Sequence, residues 1–214
     1  MKYAKMLALA AVAAGALMAF IGAGTASASV ICSTTADPCP AGQAWPNGTT
    51  IDFSIPAGQS AILKDTAGNT LDTCTGSTVK GKITNTGSAT ETVTGSIEEL
   101  TWTGCTFTTK TVSLNNKLKV HKIAGTSNGT VTSDAQIEVT INTVLFGSCI
   151  YGVATTEDVG TISEGIGTNS VFTANAVATR FGSNAACPAT SKWTGTYVLT
   201  TPSTTTLSVS ESGS

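Results

Sequence analysis

The amino-acid sequence predicts an all-β fold, a disulfide-stabilised β-sandwich or Greek-key, barrel-like domain. Three observations carry this. Apolar and polar residues alternate with period two along most of the chain beyond residue 50. Ile51, Phe53 and Ile55 flank Asp52 and Ser54, and Ile137, Val139 and Ile141 flank Glu138 and Thr140. That spacing turns one face of a strand inward. Thr fills 40 of the 214 positions while charged residues make up only 11%; its β-branch favours strands and its hydroxyl wets an outward face. Turn residues that tolerate positive φ, such as Ser127-Asn128-Gly129 and Ala67-Gly68-Asn69, separate the alternating runs.

Residues 1–28 read as a secretory signal peptide. Lys2 and Lys5 begin it, an apolar run covers 6–21, and the small residues that follow contain Ala26-Ser27-Ala28, the expected cleavage signal. The run is shorter than the about 20 residues that span a bilayer, so no transmembrane segment is expected once the leader is cut behind Ala28. Ser29-Val30-Ile31 before Cys32 is unlike a lipid-attachment site. Residues 29–210 then form a single β-sandwich domain. Its N-terminal loop, 33–43, is clipped by a disulfide, and 211–214 form a flexible tail. Strands are expected at 51–55, 61–64, 78–84, 90–105, 107–114, 118–123, just beyond 129, and at 137–142, 171–180, 192–200 and 206–210. Ten to twelve short strands suit a sandwich or Greek-key barrel.

All six cysteines, Cys32, Cys39, Cys74, Cys105, Cys149 and Cys187, lie beyond the leader. An even count in an exported chain reads as disulfides. Zinc is disfavoured because no Cys-x-x-Cys pair exists and His121 stands alone. Nearest-neighbour pairing is expected: Cys32–Cys39 across the Ala36-Asp37-Pro38 turn, then Cys74–Cys105 and Cys149–Cys187. The last two rest on an echo between Trp102-Thr103-Gly104-Cys105 and Phe146-Gly147-Ser148-Cys149, each closing a β-like run.

Several chemistries are excluded or weakly supported. With the leader lysines removed from 11 cations, the 13 acids leave a mildly acidic chain, which offers no nucleic-acid footprint. Gly125-Thr126-Ser127-Asn128-Gly129 spells G-x-S-x-G, but strands flank it on both sides and the only His precedes it, so a hairpin turn is expected. His121 alternates with Val120 onto the solvent face. Glu98 and Glu99 are adjacent and, on a regular strand, point to opposite faces. The run from Asp65 to Asp72 lacks the alternating acids of a calcium hand; it reads as a hairpin and leaves only a weak calcium site open. No P-loop, dinucleotide fingerprint or cofactor motif is present, and no catalytic or metal-binding residue is assigned. Trp102, Tyr151, Trp193 and Tyr197 form a ligand platform if exposed, and pack the core otherwise.

The block from Thr73 to Thr109, with Thr-Cys-Thr-Gly-Ser-Thr-Val-Lys-Gly-Lys and Leu-Thr-Trp-Thr-Gly-Cys, and the later Cys187-Pro-Ala-Thr-Ser-Lys-Trp-Thr-Gly-Thr-Tyr resemble a group of small secreted actinobacterial proteins. The resemblance covers most of the chain beyond the leader. It implies export and a β-rich fold and carries no activity and no site residue. In class alone the chain is also similar to the disulfide-bonded Ig-like apoproteins that actinobacteria secrete to carry small chromophores.

Taken together, these features predict a secreted, non-catalytic protein with a structural or interaction role at or near the cell surface. Its partners would be cell-wall or surface components or a small ligand. The alternative is an extracellular binding module for a carbohydrate or small apolar ligand; a hydrolase built on converging carboxylates comes third.

Overall fold

The alternating segments form β1 (Ser29–Cys32), β2 (Thr50–Ser54), β3 (Ala61–Asp65), β4 (Thr70–Asn85), β5 (Val93–Cys105), β6 (Thr108–Leu114), β7 (Leu118–Lys122), β8 (Gly129–Ser133), β9 (Ile137–Thr143), β10 (Gly147–Val153), β11 (Asp158–Ser163), β12 (Val171–Phe181), β13 (Thr190–Thr201) and β14 (Ser208–Glu211). The computed structural model describes residues 29–88, 90–114, 117–164, 169–203 and 206–212. The expected leader, 1–28, the turns expected at 115–116 and 165–167, and residues 213–214 of the expected tail lie outside them.

Four strands are long: β4, β5, β12 and β13 hold 16, 13, 11 and 12 residues. Every other strand occupies only half their length. β2 and β3 each pair antiparallel with both β13 and β4, β2 at residues 78–82 of β4 and β3 at 70–74. In the half containing β2, the ladders run β2–β4–β5–β7–β8–β11–β12–β13 and return to β2. This is a closed, eight-stranded antiparallel ring. In the other half, β3, β4, β5, β6, β9, β10, β12 and β13 form a second ring, laddered everywhere except between β5 and β6. There the Thr111 hydroxyl donates to Leu100 O at 2.7 Å and accepts from Trp102 Nε1 at 3.2 Å.

One end of the first ring is plugged by a separate two-stranded sheet, β1 against β14, with Ser29 opposite Glu211 and Cys32 opposite Ser208. Ile31, Leu207 and Val209 are buried beneath it. The plug sits close: a Cβ on Gly129 would lie 2.6 Å from Val209 Cγ2, and one on Gly87, at φ +82°, only 1.9 Å from Ser29 O. The plug's hydroxyls bind carbonyls, Ser29 to Val120 O at 2.9 Å and Ser210 to Ala36 O at 2.7 Å. Glu211, the first residue of the expected tail, ends β14, and Ser212 forms an isolated bridge with Cys39. Asp37 Oδ1 accepts the Glu211 N–H at 2.8 Å, and the Lys122 ammonium, on a side chain 1% exposed, binds both Asp37 and Glu211.

The disulfides join Cys32 to Cys39, Cys74 to Cys105 and Cys149 to Cys187. Cys74 and Cys105 are direct cross-strand partners. Cys149 sits near the start of β10 instead of closing the run before it, so the sequence echo with Cys105 has no counterpart in the fold. Three bridges fit an oxidising compartment, and among the described residues no helix is long and apolar enough to cross a membrane.

Lys122 sets the acid sensitivity of the plug. Burial works against the charged forms, but the Lys122 hydrogen bond, the Glu211 N–H and the Lys122 charge outweigh it and hold Asp37 below its ordinary 3.8. Hydrogen bonds and charge from Asp37 and Glu211 likewise outweigh burial and raise Lys122. A carboxyl lowered by folding contributes stability above its unfolded value and loses it as pH falls through the folded one. Lys122→Met should cost about 1.5–3 kcal/mol at pH 7, measured by urea denaturation. It should also flatten the loss of stability that the native chain shows below about pH 4.

Candidate functional site

The interior of the rings is the only place where the sequence candidates converge, and alternation puts them there. Along β12 the inward residues are Phe172, Ala174, Ala176 and Ala178; along β13 they are Ser191, Trp193, Gly195, Tyr197 and Leu199. Cross-strand neighbours share a face, so Phe172 meets Tyr197, Ala174 meets Gly195 and Ala176 meets Trp193. Layers of small residues thus lie between layers of large ones, and the rings lean into the space. Phe53, Phe172, Tyr197, Trp193 and Trp102 form a continuous aromatic line, with successive centroids 5.9, 5.9, 6.0 and 4.9 Å apart.

Among the described residues, two cavities lie in the interior. The first, of about 110 Å³, lies within the closed ring under the plug, walled mainly by aliphatic side chains such as Ile97, Leu100, Val120, Val131, Ile162 and Leu207. The second, of about 40 Å³, lies in the other half beside Trp102, Trp193, Tyr151, Asp72 and Thr109. Ile137, Val153 and Trp193 belong to the walls of both.

The second cavity has a polar wall. Asp72, 3% exposed, is buried there. It accepts hydrogen bonds from Thr73 N–H at 2.8 Å, Phe107 N–H at 3.1 Å and the Thr109 hydroxyl. These hold the β5–β6 connection against β4. Tyr197, fully buried, donates to Ser77 Oγ at 3.1 Å, and burial raises its pKa so that the phenol stays neutral. Burial also raises Tyr151. The Tyr151 hydroxyl is buried with no hydrogen-bond partner, and the buried Trp193 indole N–H lies beside the Tyr197 hydroxyl.

The structure therefore brings all four aromatic candidates inside. Tyr151 and Tyr197 are 3% and 0% exposed, and Trp102 and Trp193 are partly buried against the core. They form no outward platform, because strand alternation gives them the same face as Leu199 and Ala176. The sequence reading missed Phe53 and Phe172, whose period-two spacing was visible, and Asp72, whose inward direction was not.

The remaining candidates are engaged elsewhere. Ser127 lies in the β7–β8 turn and its hydroxyl donates to Thr35 O at 3.4 Å, while His121 is exposed. Glu98 and Glu99 do not take opposite faces. A bulge between Lys80 and Gly81 makes Glu98 the extra residue, and both acids are exposed, paired with Lys82 at 3.1 Å and Lys80 at 2.7 Å. Asp65 closes the β3–β4 hairpin by accepting Asn69 N–H and Nδ2 at 2.8 Å each, so it and the inward Asp72 do not face a common ion. Asp72 lies near the sulfurs of Cys74 and Cys105, but these are joined to each other and offer no thiolate. Comparison of the chain with known protein families, curated proteins and solved structures gives no match.

Asp72 is the polar keystone of this half. Asp72→Ala leaves up to three buried donors unpaired, each costing about 1–3 kcal/mol. The expected outcome is a loss of at least about 3 kcal/mol in urea denaturation, with Trp102 emission shifted to the red as the β5–β6 connection loosens.

Proposed function

We propose that the protein is an exported, non-catalytic binding protein that holds a small apolar ligand inside its barrel. The observation behind this is the first cavity. Eight-stranded barrels have interiors just wide enough to be filled by side chains or to hold one small ligand. Here the aliphatic wall leaves about 110 Å³ free. An apolar cavity of about 150 Å³ takes benzene or xenon, so this somewhat smaller space sets an upper limit of one small ring or a short alkyl chain. The non-catalytic part of the reading rests on the commitments of Ser127, Glu98 and Glu99 to structural bonds and ion pairs. Export rests on the leader and the three disulfides.

A structural or interaction role at the cell surface keeps one observation in its favour. Val144 and Leu145, at the tip of the β9–β10 hairpin, are 95% and 79% exposed. The carbohydrate version of the binding reading has less behind it, since the aromatic rings face inward.

Thermal denaturation with benzene, cyclohexane and short alkanes tests the proposal. Ligand at 100 times its Kd should add about 2.7 kcal/mol of stability, and the shift should saturate. Val131→Phe, which fills the cavity at an overpacking cost of about 1–3 kcal/mol, should abolish the shift. Val131→Leu should weaken it. No saturable shift with any of these compounds would overturn the reading.

A further inference from the structure

The second cavity supplies what the first lacks, a polar anchor. Tyr151 is 3% exposed, lines this cavity, and has a hydroxyl with no partner; Trp193 lines it too, with its buried indole N–H beside the Tyr197 hydroxyl. Buried polar groups in folded proteins nearly always have a partner, and each exception calls for an explanation. The neighbouring polar groups do not answer Tyr151. Asp72 already accepts three hydrogen bonds, from Thr73, Phe107 and Thr109, and the Arg180 guanidinium, from the position opposite Tyr151, donates to Cys187 O.

The missing partner is an acceptor, because a phenol O–H donates readily. It is also uncharged. A carboxylate here would be desolvated beside the Asp72 carboxylate, which is strongly unfavourable, and the cation that acts on Tyr151, Arg180, is directed at Cys187 O. The two cavities share Ile137, Val153 and Trp193 in their walls.

We propose that the ligand is a small neutral amphiphile whose apolar body fills the first cavity and whose single oxygen, a carbonyl or hydroxyl, accepts a hydrogen bond from Tyr151 in the second. This rests on the binding function proposed above and names its ligand class. Trp193, in the wall of both chambers, reports occupancy.

Cyclohexane and cyclohexanone share a ring and differ by one carbonyl. Their affinities are measured by titration of Trp emission on the wild-type protein and on Tyr151→Phe, which removes only the unpaired oxygen. The variant should bind cyclohexanone about three- to tenfold more weakly and cyclohexane within twofold of wild type. Equal effects on both compounds, or none, would overturn the proposal while leaving apolar binding intact. If wild type binds neither compound, the binding function falls and this inference falls with it. A readout that needs no variant is the infrared carbonyl stretch of cyclohexanone bound to wild type. It should lie below its position in an alkane solvent, and an unshifted band overturns the hydrogen bond to Tyr151.

Discussion

Ring closure through four shared strands is the constraint on which the rest of the structure depends. β4, β5, β12 and β13 run through both halves, so each must keep one face inward over 11 residues or more. A slip of one residue would turn that whole face outward. The chain absorbs the accumulated mismatch at bulges. At one of them, in β5, the extra residue is the exposed Glu98. It lets Ile97 and Leu100, three positions apart, both remain inside. In the first ring, closure also removes the unpaired edges that an open sheet would present to other chains, whereas β6 keeps one edge without a ladder.

Filling such an interior is a problem of volume. Ala174, Ala176, Ala178 and Gly195 leave β12 and β13 thin along their middle, and the aromatic line from Phe53 to Trp102 occupies the space. Gly195 shows how closely the two are matched, since a Cβ there would come within 3.1 Å of the Tyr197 ring and 3.2 Å of Ile55. Rigid rings do not fill a curved wall completely. The residue of that mismatch is one cavity among mainly aliphatic side chains and a smaller one where Tyr151 and Trp193 bring polar atoms. Packing and the candidate site are thus the same feature.

How much of this was legible in the sequence follows from what alternation can encode. It marks which residues share a face, and so the all-β class, most strands and the inward set of β2, β9 and β13 could be read directly. The three disulfides were also within reach of neighbour pairing. Alternation does not say how long a strand runs when its residues are small. Residues 70–77 of β4 carry Thr, Gly and Ser with few apolar marks, so the strand seemed to begin at 78 and its shared role was hidden. β1, β10 and β11 were missed as strands for related reasons: they are short, or glycine-rich. Nor does alternation show which way a platform faces. Trp102, Tyr151, Trp193 and Tyr197 could stand on either side until closure fixed the inside, and the inward turn of Asp72 depends on Phe107 and Thr109, more than thirty residues away.

The same logic bears on how the interior communicates with solvent. The plug closes one end, held by Lys122, Asp37 and the hydroxyls of Ser29 and Ser210. At the other, the Cys149–Cys187 bridge ties β10 to the 182–189 loop, and Asn184 Nδ2 donates to Phe146 O at 2.7 Å and Ser148 O at 3.1 Å. Along the wall, separating any two laddered strands breaks several backbone hydrogen bonds at once. Between β5 and β6 the neighbours meet through side chains, chiefly the two bonds of Thr111. Side-chain bonds of this kind contribute about 0.5–1.5 kcal/mol each, so this seam is the least costly part of the wall to open. It lies beside Trp102 and Thr109, against the chamber that holds the unpaired hydroxyl of Tyr151.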